Sequence, residues 1–295
     1  MACSPIVPLP DQDLCAALSV SGAPNLINWS LQDLPVLIDP RRRFPWARSV
    51  VSFAMAYPGR PSKQFGNRRL AEVEALLAFD WYGALKEKLR RVRNALRGSF
   101  PALQMQIFVE GRIWEKAWAE RTGLGWRGKN TLLFHPRWGS RILLGEILLG
   151  IELEQTGPAL VGRCGDCRLC LKTCPTGAIE EPFRLNGRRC LDYWTLQTDQ
   201  DLPPDIQQSM GGRLFGCDLC QEICPRNQQA ETPLLAHIPP GPGYALPIEE
   251  LAALDENGFR SKFPGRIFRS LPFTRFRRNL EAVQRNISRL PTGLR

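Results

Sequence analysis

Apolar positions change their period several times along the first half of the chain. Over residues 68–96 (RRLAEVEALLAFDWYGALKEKLRRVRNAL) they recur at three- and four-residue steps, as at Leu70, Val73, Leu76 and Leu77. That spacing predicts one long helix, which Pro101 bounds. The stretch LQMQIFVE (103–110) alternates and predicts a strand. RIWEKAWAERTG predicts a helix with Trp114, Ala117 and Trp118 on one side and Gly123 as its stop. TLLFH and ILLGEILLGIEL predict strands, separated by the turn-rich PRWGS. Helix and strand are mixed throughout, so the expected class is α+β, with a mixed α/β N-terminal domain over residues 1–157.

Residues 158–230 form a second unit by composition, because they hold eight of the ten cysteines. CRLCLKTCPTGAI and CDLCQEICPRNQQ share C-x2-C-x3-C-P, an internal echo. The remainder, 231–295, opens on a Pro/Gly-rich connection. One short helix is predicted near Pro247, and a basic tail follows.

At 295 residues and 43 % hydrophobic content the chain can bury a substantial core. The N-terminal MACSPIVPLPDQDLC has neither a basic n-region nor an apolar h-region, so no secretory signal is read. The longest apolar run, 142–151, is too short to span a bilayer and contains Glu146. These features predict a cytoplasmic protein with no membrane partner, in which cysteines serve as metal or redox ligands rather than disulfides.

Charge changes the picture for the tail. The net charge is +10, and from Asn257 onward ten Arg and Lys residues face one acid, Glu281. Phe259, Phe263, Phe268, Phe273 and Phe276 lie among them. One reading is a polyanion surface with tRNA as the candidate partner; the other is a solvated helix whose phenylalanines pack on the body.

The run Cys164-x2-Cys167-x2-Cys170-x3-Cys174-Pro175 has the bacterial ferredoxin spacing for a [4Fe–4S] cluster. In that arrangement three close thiolates hold one cubane, and the cysteine before proline ligates the other. The second run, Cys217-x2-Cys220-x3-Cys224-Pro225, lacks a leading cysteine, and Cys190 can fill the gap across a 26-residue insert. The expected ligand sets are therefore Cys164, Cys167, Cys170 and Cys224 for one cluster, and Cys190, Cys217, Cys220 and Cys174 for the other. This makes the middle unit an inserted bacterial ferredoxin-like two-cluster domain. Cys3 and Cys15 are left as ordinary thiols. A zinc site favours two C-x2-C pairs joined by a longer loop and suits this run poorly. No Gly-x-Gly-x-x-Gly follows a strand and no P-loop occurs. With only His135 and His237, a multi-histidine metal site is not expected.

The blocks AWAERTGLGWRGKNTLLFHPRWGSRILLGEILL and CGDCRLCLKTCPTGAI … CLDYWTL … LFGCDLCQEICPRN, with the spacing between them, resemble the epoxyqueuosine reductases over roughly residues 45–227. The resemblance implies a reductase that uses base-off cobalamin and two [4Fe–4S] clusters to remove the epoxide oxygen of epoxyqueuosine in tRNA, giving queuosine. It implies a low-potential electron donor such as flavodoxin or ferredoxin, and a monomer. It makes the N-terminal domain the cobalamin-binding part and places Trp126, Gly128, Lys129, Asn130, Gly139 and Ser140 near the corrin.

In the family the proposed proton donor is an aspartate in a V-D-[ST]-x-P setting before the AWAER helix. Here the matching stretch is FVEGRIWEKAWAER, and Glu110 is the nearest acid. The motif's proline is missing. The family's R-D-Y-H segment is replaced by AFDWYGALKEKL, which keeps Asp80 and Tyr82. These departures leave two alternatives open: a corrinoid reductase of a small molecule such as an organohalide, and a two-cluster electron carrier or corrinoid-activating protein.

Overall fold

The computed structural model describes residues 1–9, 34–60, 70–109, 113–233, 237 and 239–289. Following the chain, the strands are β1 (Ala2–Pro5), β2 (Ser49–Ala56), β3 (Leu70–Val73), β4 (Met105–Phe108), β5 (Trp126–Arg127), β6 (Leu133–Phe134), β7 (Ile142–Leu149), β8 (Ile179–Glu181), β9 (Arg184–Leu185), β10 (Arg213–Phe215) and β11 (Ala245–Pro247).

The apolar run ILLGEILL becomes β7, the inner strand of a four-stranded sheet ordered β1-β2-β7-β4. It pairs antiparallel with β2 from Ser49↔Leu149 to Ala56↔Ile142, and with β4 on its other side. A strand with neighbours on both edges and helices on both faces needs apolar residues throughout. The helix Trp81–Ser99 covers one face, where Leu85 and Leu89 lie against Gly145. A Cβ at Gly145 would come within 2.7 Å of Leu89 Cδ1, so the glycine permits the close approach. The helix Glu115–Arg121 packs on β2 and β7, burying Ala117, Trp118 and Ala119. Glu146 is the exception on β7. It is fully buried opposite Ser52, and neither carboxyl oxygen has a hydrogen-bond partner. Burial first, and then the nearby Glu115 charge, push its pKa well above the carboxylate range.

The long helix expected over 68–96 is corrected. Residues 70–73 form β3, residues 75–80 turn, and the helix starts at Trp81, where Asp80 accepts the Gly83 N–H at 3.0 Å. Ala71 and Val73 alternate into the core of a second sheet, ordered β10-β3-β11. The true helical stripe is Trp81, Leu85 and Leu89. β3 pairs in parallel with β10 from the cysteine segment, and antiparallel with β11 from the C-terminal segment. The stretches 1–157, 158–230 and 231–295 thus contribute one strand each to a shared sheet.

The C-terminal segment is also corrected. Beyond the helix Ile248–Ala252 it forms three more helices, Glu256–Lys262, Arg266–Ser270 and Phe273–Ser288. Phe259, Phe263, Phe268 and Phe276 join Val73, Leu214 and Phe215 in one buried cluster. Several of the tail's cations serve the fold. Arg275 pairs with Asp199 at 2.8 Å, Arg278 donates to the carbonyls of Trp194, Thr198 and Gln200, and Arg260 caps Leu271 at 2.9 Å. The basic tail is packed on the body through its phenylalanines, which are worth more buried than exposed. Among the described residues no helix is long and apolar enough to cross a membrane.

Candidate metal centre

The cysteines sit on short helices and the turns before them. Cys164 and Cys167 share a turn closed by the Cys167 N–H to Cys164 O bond of 3.1 Å, and Cys170 lies in the helix Leu169–Thr173. Cys220 lies in the helix Leu219–Glu222, with Cys217 just before it. Cys174 and Cys224 are both extended, with ψ of 114° and 120°. The proline after each imposes that conformation, which ends the motif's own run of helix at the cysteine.

Two groups result. Cys164, Cys167, Cys170 and Cys224 line one cavity of about 170 Å³. Cys167 is exposed and the other three are half-buried. Burial, followed by the charges of Cys164 and the other neighbouring thiolates, raises the Cys170 thiol. In the second group, burial pushes Cys217 up to about 12 and raises Cys190 and Cys220 as well. Cys190 and Cys217 are among the charges that act on Cys220. Cys174 receives the Ala178 N–H at 3.2 Å, and its turn is tied to the Cys190 segment by Arg189 Nε donating to Thr176 O at 2.6 Å.

Among the described residues no three Cys, His, Asp or Glu side chains converge closely enough for a single ion. A cubane spreads its thiolates over its corners, farther apart than the ligands of one ion, so eight soft sulfur donors in two groups fit iron–sulfur clusters. A cationic iron core takes the place of the proton on each thiol that binds it.

The residues expected around a corrin are turned towards the cysteine segment or towards each other. Lys129 Nζ donates to the carbonyls of Gly165 and Cys167, the latter at 3.1 Å. Asn130 is buried and lines the first group's cavity; its Oδ1 accepts the Leu132 N–H at 3.4 Å. Its Nδ2 has no partner, while the same side chain partly offsets the upward push of burial on Cys220. Trp126 stacks on Phe134 at 5.9 Å, and Gly128 packs against that ring. Gly139, at φ +63°, would place a Cβ 2.2 Å from Asn227 Oδ1. Ser140 N–H donates to the same oxygen at 2.7 Å, and Ser140 Oγ donates to Gln221 Oε1 at 2.9 Å. The Gly139–Ser140 turn is therefore a socket for the end of the second cysteine motif.

Sequence reasoning missed the matching seam at Cys217. Asp218 accepts the Ala75 N–H at 2.6 Å and the Gln221 amide at 2.8 Å, and Glu74 accepts the Cys217 N–H at 3.0 Å. Burial raises both carboxyls; for Glu74 the charges of Asp192 and Asp218 add to the effect. Nothing local marks Glu74 or Ala75, since their partners lie 143 residues away. Lys116 was also missed. It is exposed, and desolvation, followed by the Arg127 charge, lowers its pKa, with Glu115, Asp192 and Cys190 close by. Glu110 lies outside the described residues, and its neighbours in the chain, Val109 and Ile113, are buried.

Residues 163–227 match the family model of a 4Fe-4S double cluster binding domain. The chain is similar to the epoxyqueuosine reductase of Synechocystis, 35 % identical over 260 residues, which cover 85 % of this chain and 89 % of the relative. The Bacillus subtilis relative of the same description is 34 % identical over 237 residues, which are 78 % of this chain and 61 % of the relative. A solved Bacillus subtilis structure, described as having a catalytic aspartate loop swung out of the active site, superposes with a TM-score of 0.82 at 27 % identity. It matches 97 % of this chain and 77 % of the other. A second, crystallised with an epoxyqueuosine-modified tyrosine tRNA stem loop, superposes at 0.85 and 27 %, matching 97 % and 76 %.

Proposed function

This chain belongs to the epoxyqueuosine reductase family of oxidoreductases, and from that premise we propose that it converts epoxyqueuosine to queuosine in tRNA. The observation that carries the reading is the two cysteine groups, seated by Asn227 and Asp218 against a domain that superposes on these reductases along almost its whole length. Removing an epoxide oxygen breaks two C–O bonds, forms a C=C bond and releases water, which consumes two electrons and two protons.

The proposed ligand sets are Cys164, Cys167, Cys170 and Cys224 for the first cluster, and Cys190, Cys217, Cys220 and Cys174 for the second. Cobalamin is the proposed third cofactor. Lys116, close to Cys190 of the second group, is the side chain beside which it would sit. Lys116 and Arg127 would border it. When bound, the clusters supply low-potential single electrons and the corrinoid supplies the reduced cobalt that the chemistry needs. The block from Trp126 to Ser140 would serve the corrin from behind, by fixing the cysteine segment.

Glu110 is the proposed proton donor to the departing oxygen. Glutamate can do an aspartate's work there if the backbone is set back by the length of one methylene. The proposed setting is the cytoplasm, with the chain acting as a monomer fed by a reduced one-electron carrier.

The test is direct. The chain is reconstituted anaerobically with iron, sulfide and cobalamin, then given an epoxyqueuosine-modified tRNA stem loop and a strong reductant. Mass spectrometry of the released nucleoside should show loss of one oxygen, and Glu110→Gln should slow that loss by about 10²-fold or more. Turnover of an organohalide with the stem loop untouched would instead support a small-molecule reductase.

A further inference from the structure

Electrons must enter this protein from outside, and its surface is uneven in that respect. In the second cysteine group all four cysteines are half-buried and none is exposed. The first group reaches the surface: every residue of 161–169 is exposed except Cys164, which is half-buried. Two apolar side chains stand out in that stretch, Val161 at 84 % and Leu169 at 40 % exposure. Arg163, Arg168 and Lys172 are exposed beside them, against one acid, Asp166.

The cavity of the first group is lined by three cations, Lys129, Arg163 and Arg226, and by no carboxylate. Neutral partners hold all three. Lys129 binds backbone carbonyls, Arg226 donates twice to Arg163 O at 3.1 and 2.9 Å, and the Arg163 guanidinium lies 5.4 Å from the Trp126 ring centroid. Among the described residues none of the three forms an ion pair with a carboxylate.

We infer that this face, centred on the exposed Cys167 and edged by Val161, Leu169, Arg168 and Lys172, is the docking surface for an acidic one-electron carrier protein. A carrier must bring its own redox centre close to the accepting cluster and then leave. That calls for a small apolar contact, with opposite charges to steer the encounter. RNA phosphates would use the cations, but would leave two exposed aliphatic side chains beside a cluster ligand without a purpose. The inference rests on the first group holding a cluster, which iron content and reduction by dithionite check separately.

The experiment uses the full chain with both clusters reconstituted. Reduced flavodoxin, an acidic carrier, is mixed with the wild type and with an Arg168→Glu/Lys172→Glu double variant, and cluster bleaching is followed by stopped flow. The second-order rate constant should fall about 10-fold or more at low salt, and the difference should vanish at high salt. Reduction by dithionite should be unchanged. If charge reversal lowers the iron content, Val161→Asp carries the test, since residue 161 lies outside the cysteine run; its rate should also fall. Equal rates in a variant with full iron overturn the surface. So does a variant that loses affinity for the tRNA stem loop while keeping its rate with flavodoxin, because the face would then belong to RNA.

Discussion

The two cysteine groups differ in almost every property that sets a cluster's behaviour. One is open to solvent and ringed by Lys129, Arg163 and Arg226. The other has no exposed cysteine, and its charged neighbours are the acids Glu74, Asp192 and Asp218 with one base, Arg213. Reduction adds a negative charge to a cluster. Cations and water favour that charge, whereas burial and carboxylates oppose it, so the exposed cluster should have the higher potential. The stronger reductant then sits at the enclosed group, near Lys116, where the chemistry is proposed. Similar sequence motifs therefore take opposite roles through what the rest of the fold packs around them.

The largest effect should come from removing one group. Cys190→Ala deletes a ligand of the enclosed cluster, and iron analysis should fall from about eight towards about four per chain, with activity lost. The exposed cluster should still accept electrons. If all iron is lost together, the two groups are one cooperative unit and the comparison fails.

Next in size is the seam. Asn227→Ala strips the Gly139–Ser140 socket of its acceptor at 2.7 Å and leaves the buried Ser140 N–H unsatisfied. Such a loss costs about 1–3 kcal/mol. A melting temperature lower by several degrees, together with a weaker hold on iron, is the expected result. A smaller effect is expected from Asn130→Ala. Asn130 Oδ1 is engaged by Leu132, which leaves the amide N–H groups free to face Cys220 sulfur. Their removal should make the enclosed cluster harder to reduce, by up to about tenfold in the equilibrium or ~59 mV for one electron. The exposed cluster, whose cavity Asn130 also lines, should move less in a redox titration of that variant.

Legibility in the sequence followed the range of the interactions. The β7 run and the cysteine spacing are local patterns, and both can be read directly from the residues. β3 was misread because four residues cannot declare themselves a strand when their partners lie near residues 213 and 245. The tail's arginines suggested an open basic surface, yet Arg275 and Arg278 are spent on Asp199 and on carbonyls that only the folded chain brings near. The iron–sulfur expectation agrees with the family match over 163–227. The family block was visible as a block, but its contacts with Asn227 and the Gly165 turn were not, since sequence shows that residues matter together before it shows what they touch. Cys15 and Glu110 lie outside the described residues.

The most direct measurement is a redox titration of the reconstituted full chain followed by electron paramagnetic resonance. Cys190→Ala assigns the signal that disappears to the enclosed group. The account predicts two separate one-electron waves, with the enclosed cluster the more negative. A single wave, or an enclosed cluster that reduces first, would contradict it.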